Sequence, residues 1–154
     1  YAHNGQLSDY QDKFVSSRFN AVGDTDSEMA FCWIMDKVVQ HFGDKAPDDM
    51  QQVYRYIATM ADEIRALGVF NMILSDGEHL MSYCSNNLCY ITRRAPFGKA
   101  KLIDTDVVID FDKETTPNDV VTVIATRPLT KDEQWNVLSA GEWKLFKKGE
   151  LLIG

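Results

Sequence analysis

The chain has 154 residues, of which 45% are hydrophobic and 25% are charged, and its formal net charge is −7. A chain of this length can bury about two thirds of the surface that its unfolded form exposes, so we expect one folded domain over residues 1–154. The negative charge disfavours nucleic acid or an anionic membrane as partner, because either would prefer a basic face. No apolar run approaches the roughly 20 residues that span a bilayer, and no signal-peptide pattern opens the chain, so a cytoplasmic protein is expected.

Two amphipathic helices are predicted in the first half of the chain. Residues 25–28 (Thr-Asp-Ser-Glu) match a capping box, in which Thr25 caps the first helix and Glu28 reaches back to the cap amide. Gly43 is predicted to end this helix. Pro47 and the acidic pair after it are predicted to open the second helix, which Gly68 ends.

From Val69 onward the residue pattern changes to one typical of strands. Asp76-Gly77 and Asn86-Asn87 suit tight turns, and they join three segments that predict an antiparallel meander: 69–75, 78–85 and 88–94. Further predicted elements are strands at 107–111 and 120–126, a helical turn opened by the capping box at 130–133, and a last hairpin of 143–146 and 151–153. Because helices come first and strands apolar on both faces follow, the sequence predicts an α+β layered sandwich.

The three cysteines, Cys32, Cys84 and Cys89, are an odd number without metal-type spacing. This favours free thiols in a reducing compartment. If Asn86-Asn87 is a two-residue hairpin turn, Cys84 and Cys89 face each other across it and a disulfide is geometrically possible. Ordinary buried thiols are the favoured alternative.

Two short segments carry the chemistry: residues 1–5 (Tyr-Ala-His-Asn-Gly) and residues 23–28 (Gly-Asp-Thr-Asp-Ser-Glu). An aromatic-x-His-Asn-Gly opening, followed by Thr-Asp-Ser-Glu at a helix start, resembles the class II glutamine amidotransferases, which are N-terminal-nucleophile (Ntn) hydrolases. Later segments look like the YafJ-like subgroup of that family: 74–78 (Leu-Ser-Asp-Gly-Glu), 124–130 (Ile-Ala-Thr-Arg-Pro-Leu-Thr) and 141–143 (Gly-Glu-Trp). The resemblance covers nearly the whole chain.

The resemblance implies a fold, a reaction and roles for three residues. The fold is a four-layer αββα sandwich, and an N-terminal cysteine attacks the glutamine side-chain amide to give a glutamyl thioester and ammonia, after which water releases glutamate. Asn4 would donate its side-chain amide, and Gly5 its backbone N–H, to the oxyanion. Asp26 would bind the α-ammonium group of the substrate. The implied partner is a small molecule, and no cofactor or metal is implied.

Simpler interpretations of the same residues stay open. His3-Asn4-Gly5 could be a strand end that runs into an Asn-Gly turn, and Asp26 could be a first-turn acid favoured by the helix dipole. We expect His3 to be structural, because the family needs no side-chain imidazole as base. Arg93 and Arg94 could contact an acidic partner or substrate, although neighbours on a strand point to opposite faces.

The sequence departs from the family at its start. No cysteine lies at the N-terminus, and the family's arginine that grips the substrate carboxylate belongs upstream of the His-Asn-Gly motif. Residues 1–3 are interpreted as the last residues of a strand. We therefore expect the chain to be the later part of a longer protein, inactive by itself and with an exposed sheet edge. Two alternative functions stay open, a γ-glutamyl amide or peptide hydrolase and a non-catalytic binding module.

Overall fold

The structure, a computed structural model, describes residues 1–97, 99–104, 108–110 and 116–154. It divides into two compact units, residues 1–74 and 75–154. Both helices lie in the first unit, and every regular element described in the second unit is an antiparallel strand or an antiparallel bridge. The prediction of a mixed α and β protein with antiparallel sheets is confirmed. The prediction of a single domain stays a prediction.

The first helix, α1, spans Asp26–Phe42, and its start confirms half of the predicted capping box. The side chain of Thr25 accepts the Glu28 N–H at 3.2 Å. The other half is wrong, because the Glu28 carboxylate accepts the N–H groups of Val22 and Gly23, each at 2.8 Å. Glu28 therefore orders the loop before α1. Gly43 follows the helix, as predicted.

The second helix, α2, spans Met50–Arg65, so the predicted start and end both need correction. Asp49, not Pro47, caps the helix, because its side chain accepts the Gln51 N–H at 3.0 Å. Such a cap satisfies one of the N–H groups that a helix start leaves unpaired. Gly68 does not end α2 but is the first residue of the next strand.

The two helices pack together through aromatic rings and a buried apolar face. The ring of Tyr56 on α2 stacks on His41, with centroids 4.2 Å apart, and meets Phe42 edge to face at 5.7 Å. Much of the predicted apolar face of α2 is buried: Val53, Tyr54, Ile57, Ala61 and Ile64. Each large buried side chain there contributes about 1.5–3 kcal/mol. Within the described residues, neither helix is long and apolar enough to cross a membrane.

The strands of the first unit are β1 (Ala2–Leu7) and β2 (Gly68–Ser75), which pair antiparallel. The strands of the second unit are β3 (His79–Tyr83), β4 (Cys89–Arg94), β5 (Lys99–Lys101), β6 (Val108–Asp110), β7 (Val120–Ala125), β8 (Asn136–Val137), β9 (Trp143–Lys147) and β10 (Glu150–Ile153). Strand β9 pairs with β3 and β10, β4 pairs with β7 and β8, and β5 pairs with β6. The predicted last hairpin is confirmed as β9–β10. The ends of the strand predicted at 107–111 lie outside the described residues.

The predicted three-stranded meander is wrong, because β3 and β4 lie in different sheets. Cys84 donates its N–H to Glu142 and stays with the segment before β9, whereas the Leu88 carbonyl accepts the N–H of Leu138. Residues 84–88 therefore pass from one sheet to the other. The rings of Tyr90 on β4 and Phe146 on β9 meet at 5.3 Å, so these two strands of different sheets contact each other.

This topology also removes the premise for a disulfide between Cys84 and Cys89. All three cysteines are free. The Cys84 thiol donates to the Leu138 carbonyl at 3.5 Å, and the Cys89 thiol donates to the Ala125 carbonyl at 3.3 Å. Both are buried thiols, which is the alternative that the sequence favoured.

The second predicted capping box, at residues 130–133, does not open a helical turn. The Glu133 carboxylate instead accepts two N–H groups of Arg93, at 2.6 and 2.5 Å, and the Thr130 hydroxyl at 2.6 Å. Trp135 donates its indole N–H to the same hydroxyl at 2.9 Å. Glu133 therefore links its own segment to Arg93 of β4, and Arg93 is a structural residue. Arg94 pairs with Glu150.

We predict that the Arg93–Glu133 pair stabilises the fold, because both side chains are largely buried, with 13% and 20% exposed. The guanidinium of Arg93 lowers the pKa of Glu133 in the folded state. Because the pKa of Glu133 is lower in the folded state, the pair contributes stability at pH values above the unfolded-state pKa of about 4.3. This contribution is lost as the pH falls through the folded-state pKa. Arg93→Met should lower the free energy of unfolding at pH 7 by about 2 kcal/mol. It should also make the free energy of unfolding decrease less as the pH is lowered from 7 to 3.

Urea unfolding of the full-length protein between pH 3 and pH 7 measures this. Arg94→Met is the matched control, because the neighbouring Arg94–Glu150 pair is exposed, and exposed pairs contribute little. Equal losses of stability in the two variants would contradict the prediction.

Candidate functional site

Asn4 and Gly5 lie in the middle of β1, where they pair with Asn71 and Phe70 of β2. Strand β1 continues to Leu7, so residues 1–3 are not the last residues of a strand, which corrects that expectation. The alternative in which His-Asn-Gly enters a turn is also wrong. Both candidate residues are exposed.

The backbone of β1 directs the Gly5 N–H away from β2. The Ser8 N–H donates to Leu67, whereas the Leu7 N–H donates to the carboxylate of Asp26 at 2.8 Å. Since N–H groups of successive strand residues point alternately to the two edges, Gly5 shares the edge of Leu7. Among the described residues, β1 pairs only with β2. The Gly5 N–H therefore points to the edge at which Asp26 lies.

Glycine at position 5 is required by the fold. A Cβ atom there would lie 1.9 Å from the Val69 carbonyl oxygen and 2.9 Å from the Nε2 atom of His3, and φ is +156°. Strand β2 and the imidazole of His3 already occupy the space that a side chain would need.

Asp26 is the first residue of α1, and its carboxylate joins the helix to β1. The Oδ2 atom accepts the Leu7 N–H at 2.8 Å, and Oδ1 accepts the Ser27 N–H at 2.7 Å. The Ser27 hydroxyl lies 3.2 Å from the same Oδ1. Because an ionised carboxylate offers roughly four acceptor sites, the two N–H donors and the nearby hydroxyl leave room for at least one more donor. Asp26 is both a first-turn acid and a carboxylate brought to the edge of β1.

His3 is held by both ring nitrogens. Its Nε2 atom donates to the Val69 carbonyl at 3.0 Å, and Nδ1 lies 2.8 Å from the Ser27 hydroxyl. The ring also packs on Phe70, with centroids 4.9 Å apart. The expectation of a structural histidine fits these contacts.

Tyr1 lies beside the same carboxylate. Its ring stacks on Phe31 of α1 at 4.9 Å. Burial, and after it the negative charge of Asp26, raises the pKa of Tyr1.

Asn71 is a residue that the sequence interpretation missed. It is only 4% exposed, and its side-chain amide donates to the Asn4 carbonyl at 3.2 Å. Residues opposite each other in a pair of strands share a face, so Asn71 lies next to the Asn4 side chain. The sequence did contain a signal, because Asn71 is the one polar residue among the apolar residues 69–74. A polar side chain that is buried in a strand needs a hydrogen-bond partner.

None of the three thiols is an activated nucleophile. Burial raises the pKa of the Cys32 thiol, to which the charge of Glu28 adds, and burial is likewise the largest cause for Cys84 and Cys89. A raised thiol pKa reduces the thiolate, which is the reactive form.

An open pocket of about 290 Å³ lies in the first unit, between the loop after β1 and α1. Its lining includes Phe14, Phe19, Met29 and Cys32 but none of Asn4, Gly5 and Asp26. The candidate site is therefore the edge of β1 with the start of α1, not this pocket.

Comparisons with known proteins agree on one family. Residues 1–153 match the family described as "Glutamine amidotransferases class-II". The chain is 56% identical over 153 residues to the "Putative glutamine amidotransferase YafJ" of Escherichia coli (strain K12), covering 99% of this chain and 59% of that protein. It is 41% identical over 150 residues to a "Putative glutamine amidotransferase" of Haemophilus influenzae, covering 97% of this chain and 50% of that protein.

A solved structure agrees as well. The crystal structure of a "predicted glutamine amidotransferase from Pseudomonas aeruginosa PA01" has a TM-score of 0.86 and 48% identity, and the match covers 99% of this chain and 59% of that one. The chain thus spans between half and three fifths of the length of these proteins. The family match over nearly its whole length shows that the chain belongs to the class II glutamine amidotransferases.

Proposed function

We propose that the full-length protein containing this chain hydrolyses the side-chain amide of glutamine to glutamate and ammonia. Membership of the family supports the reaction class. The observation on this chain that carries the proposal is that the Gly5 N–H and the Asp26 carboxylate share one edge of β1. A donor for a developing negative charge and an acceptor for an ammonium group are thereby brought to the same place.

In the proposed reaction, the sulfur of an N-terminal cysteine outside this chain attacks the amide carbon. A tetrahedral intermediate forms, and its oxyanion is bound by the Asn4 side-chain amide and the Gly5 N–H. The α-amino group of that cysteine takes the thiol proton and passes it to the amide nitrogen, the carbon–nitrogen bond breaks, ammonia leaves, and a thioester remains. Water attacks the thioester, the carbon–sulfur bond breaks, and glutamate is released.

Asp26 binds the α-ammonium group of the substrate in this proposal. Its carboxylate is already oriented by the Leu7 and Ser27 N–H groups, and charge-assisted hydrogen bonds to an ammonium group are short and strong. A γ-glutamyl amide or peptide carries the same α-amino acid end, so it remains the second candidate substrate.

We also propose a layered fold and a cellular location for the protein. We expect a four-layer αββα sandwich of the Ntn hydrolases, which is supported by the contact of two antiparallel sheets through Tyr90 and Phe146. We also expect a cytoplasmic protein.

Glutamate release by the full-length protein tests the function. We expect turnover of glutamine, covalent labelling of one cysteine by an electrophilic glutamine analogue, and slower turnover of γ-glutamyl dipeptides. Faster turnover of the dipeptides would favour the γ-glutamyl hydrolase. Glutamine binding in calorimetry without turnover or labelling would favour the non-catalytic binding module.

A further inference from the structure

A closed set of hydrogen bonds joins both strands of the first unit to α1. It runs from the Val69 carbonyl to the His3 ring, from His3 Nδ1 to the Ser27 hydroxyl, and from Ser27 to the Asp26 carboxylate. The other carboxylate oxygen returns to β1 through the Leu7 N–H. Strand β1 and the Asp26 carboxylate are therefore connected by the side chains of His3 and Ser27.

Each link limits the next one. The Val69 carbonyl can only accept, so Nε2 of His3 donates to it and the ring orientation is set. The other nitrogen then faces the Ser27 hydroxyl, which can donate or accept. With a proton on both ring nitrogens, the hydroxyl is left to donate to Oδ1 of Asp26. With a neutral ring, the hydroxyl donates to Nδ1 and only the Ser27 N–H serves Oδ1.

We propose that His3 and Ser27 are positioning residues that hold the Asp26 carboxylate in the orientation that accepts the substrate α-ammonium group. The proposal rests on the proposed function and deepens it. Neither residue needs to touch the substrate. They act by limiting the rotation of a half-buried carboxylate whose hydrogen bond to an ammonium group depends on direction.

The competing explanation is that His3 only fills space beside Phe70, on which its ring packs. Packing alone predicts no special effect of the Ser27 hydroxyl. The two explanations therefore differ most for Ser27→Ala, which removes the hydroxyl but keeps the Ser27 N–H on Oδ1.

The first test measures glutamine turnover by the full-length protein. Ser27→Ala should raise KM about tenfold, as expected for loss of a hydrogen bond in a charged network, with little change in kcat, because a binding contact is weakened. His3→Gln keeps a donor for the Val69 carbonyl but removes the nitrogen that faces the Ser27 hydroxyl, so its KM should rise as in Ser27→Ala. His3→Asn, whose amide lies near the position of Nδ1, should restore part of the affinity.

Thr25→Ala is the matched control, because it removes another hydroxyl from the start of α1, one that accepts the Glu28 N–H. It should leave KM near the wild-type value. An unchanged KM in Ser27→Ala, or an equal rise in Thr25→Ala, would overturn the proposal.

Amide hydrogen exchange provides a readout that does not depend on activity. The Leu7 N–H is protected by the Asp26 carboxylate, so it should exchange faster in Ser27→Ala and His3→Gln than in the wild type or Thr25→Ala. If the wild type hydrolyses no glutamine, the proposed function fails while this exchange rate still decides the positioning role. Unchanged exchange of Leu7 would refute positioning even in an active enzyme.

Discussion

Gly5→Ala is expected to destabilise the protein by at least about 3 kcal/mol, the upper part of the range for overpacking. The new Cβ atom would lie 1.9 Å from the carbonyl oxygen and 2.6 Å from the carbonyl carbon of Val69. These are main-chain atoms of the paired strand, so they cannot move without separating β1 from β2. Urea unfolding of the full-length variant and wild type measures the loss.

Gly43→Ala is the matched control for backbone conformation. Gly43 also has a positive φ, +81°, but a Cβ there meets no atom within 4 Å, so alanine should cost only the backbone strain of this conformation, about 1–3 kcal/mol. A second variant identifies the atoms responsible. Adding His3→Ala to Gly5→Ala should not restore stability, since the closest contact is with Val69. Equal losses at Gly5 and Gly43 would show that the close approach to Val69 is unimportant.

Asn4→Ala is expected to reduce kcat for glutamine by a factor of about 100 to 1,000, which corresponds to roughly 3 kcal/mol of transition-state stabilisation. The change removes the oxyanion hydrogen bond that we propose for the side chain. Because Asn4 is exposed, and its backbone pairing with β2 does not need the side chain, the fold should tolerate the change. Steady-state kinetics, together with the unfolding midpoint, checks both parts.

Gln6→Ala is the control for Asn4→Ala. Gln6 is exposed on the same face of β1, two residues along the strand. It should retain nearly full kcat. If Asn4→Ala also keeps full kcat, the oxyanion role of Asn4 is wrong, and the Gly5 N–H or another donor must carry the charge.

The local part of the fold could be predicted from the sequence because its signals act over a few residues. Thr25 caps α1 and Gly43 follows it, as their residue types indicate. Lys148 and Gly149 form the turn of the last hairpin with positive φ values. Two of the failures were also local motifs, since Glu28 and Glu133 lie at capping-box positions but bind the loop before α1 and Arg93 instead.

The candidate site was only partly predictable. The motifs identified Asn4, Gly5 and Asp26, and the edge shared by Gly5 and Asp26 emerged from the structure. Asn71 was missed because its role depends on register, which pairs it with Asn4 across 67 positions of the chain. The sequence marked it only as an amide in an apolar strand.

By itself, the sequence determined the helices, most strands, the turn of the last hairpin and the family motifs, because capping, periodicity and turn conformation depend on neighbouring residues. Only the tertiary structure decided which strands pair, why position 5 excludes a side chain, and what His3 contacts. Those outcomes depend on atoms far apart in sequence, such as Val69, which lies 66 positions from the histidine that bonds to it. Packing brings such atoms together, and no local pattern encodes their distance.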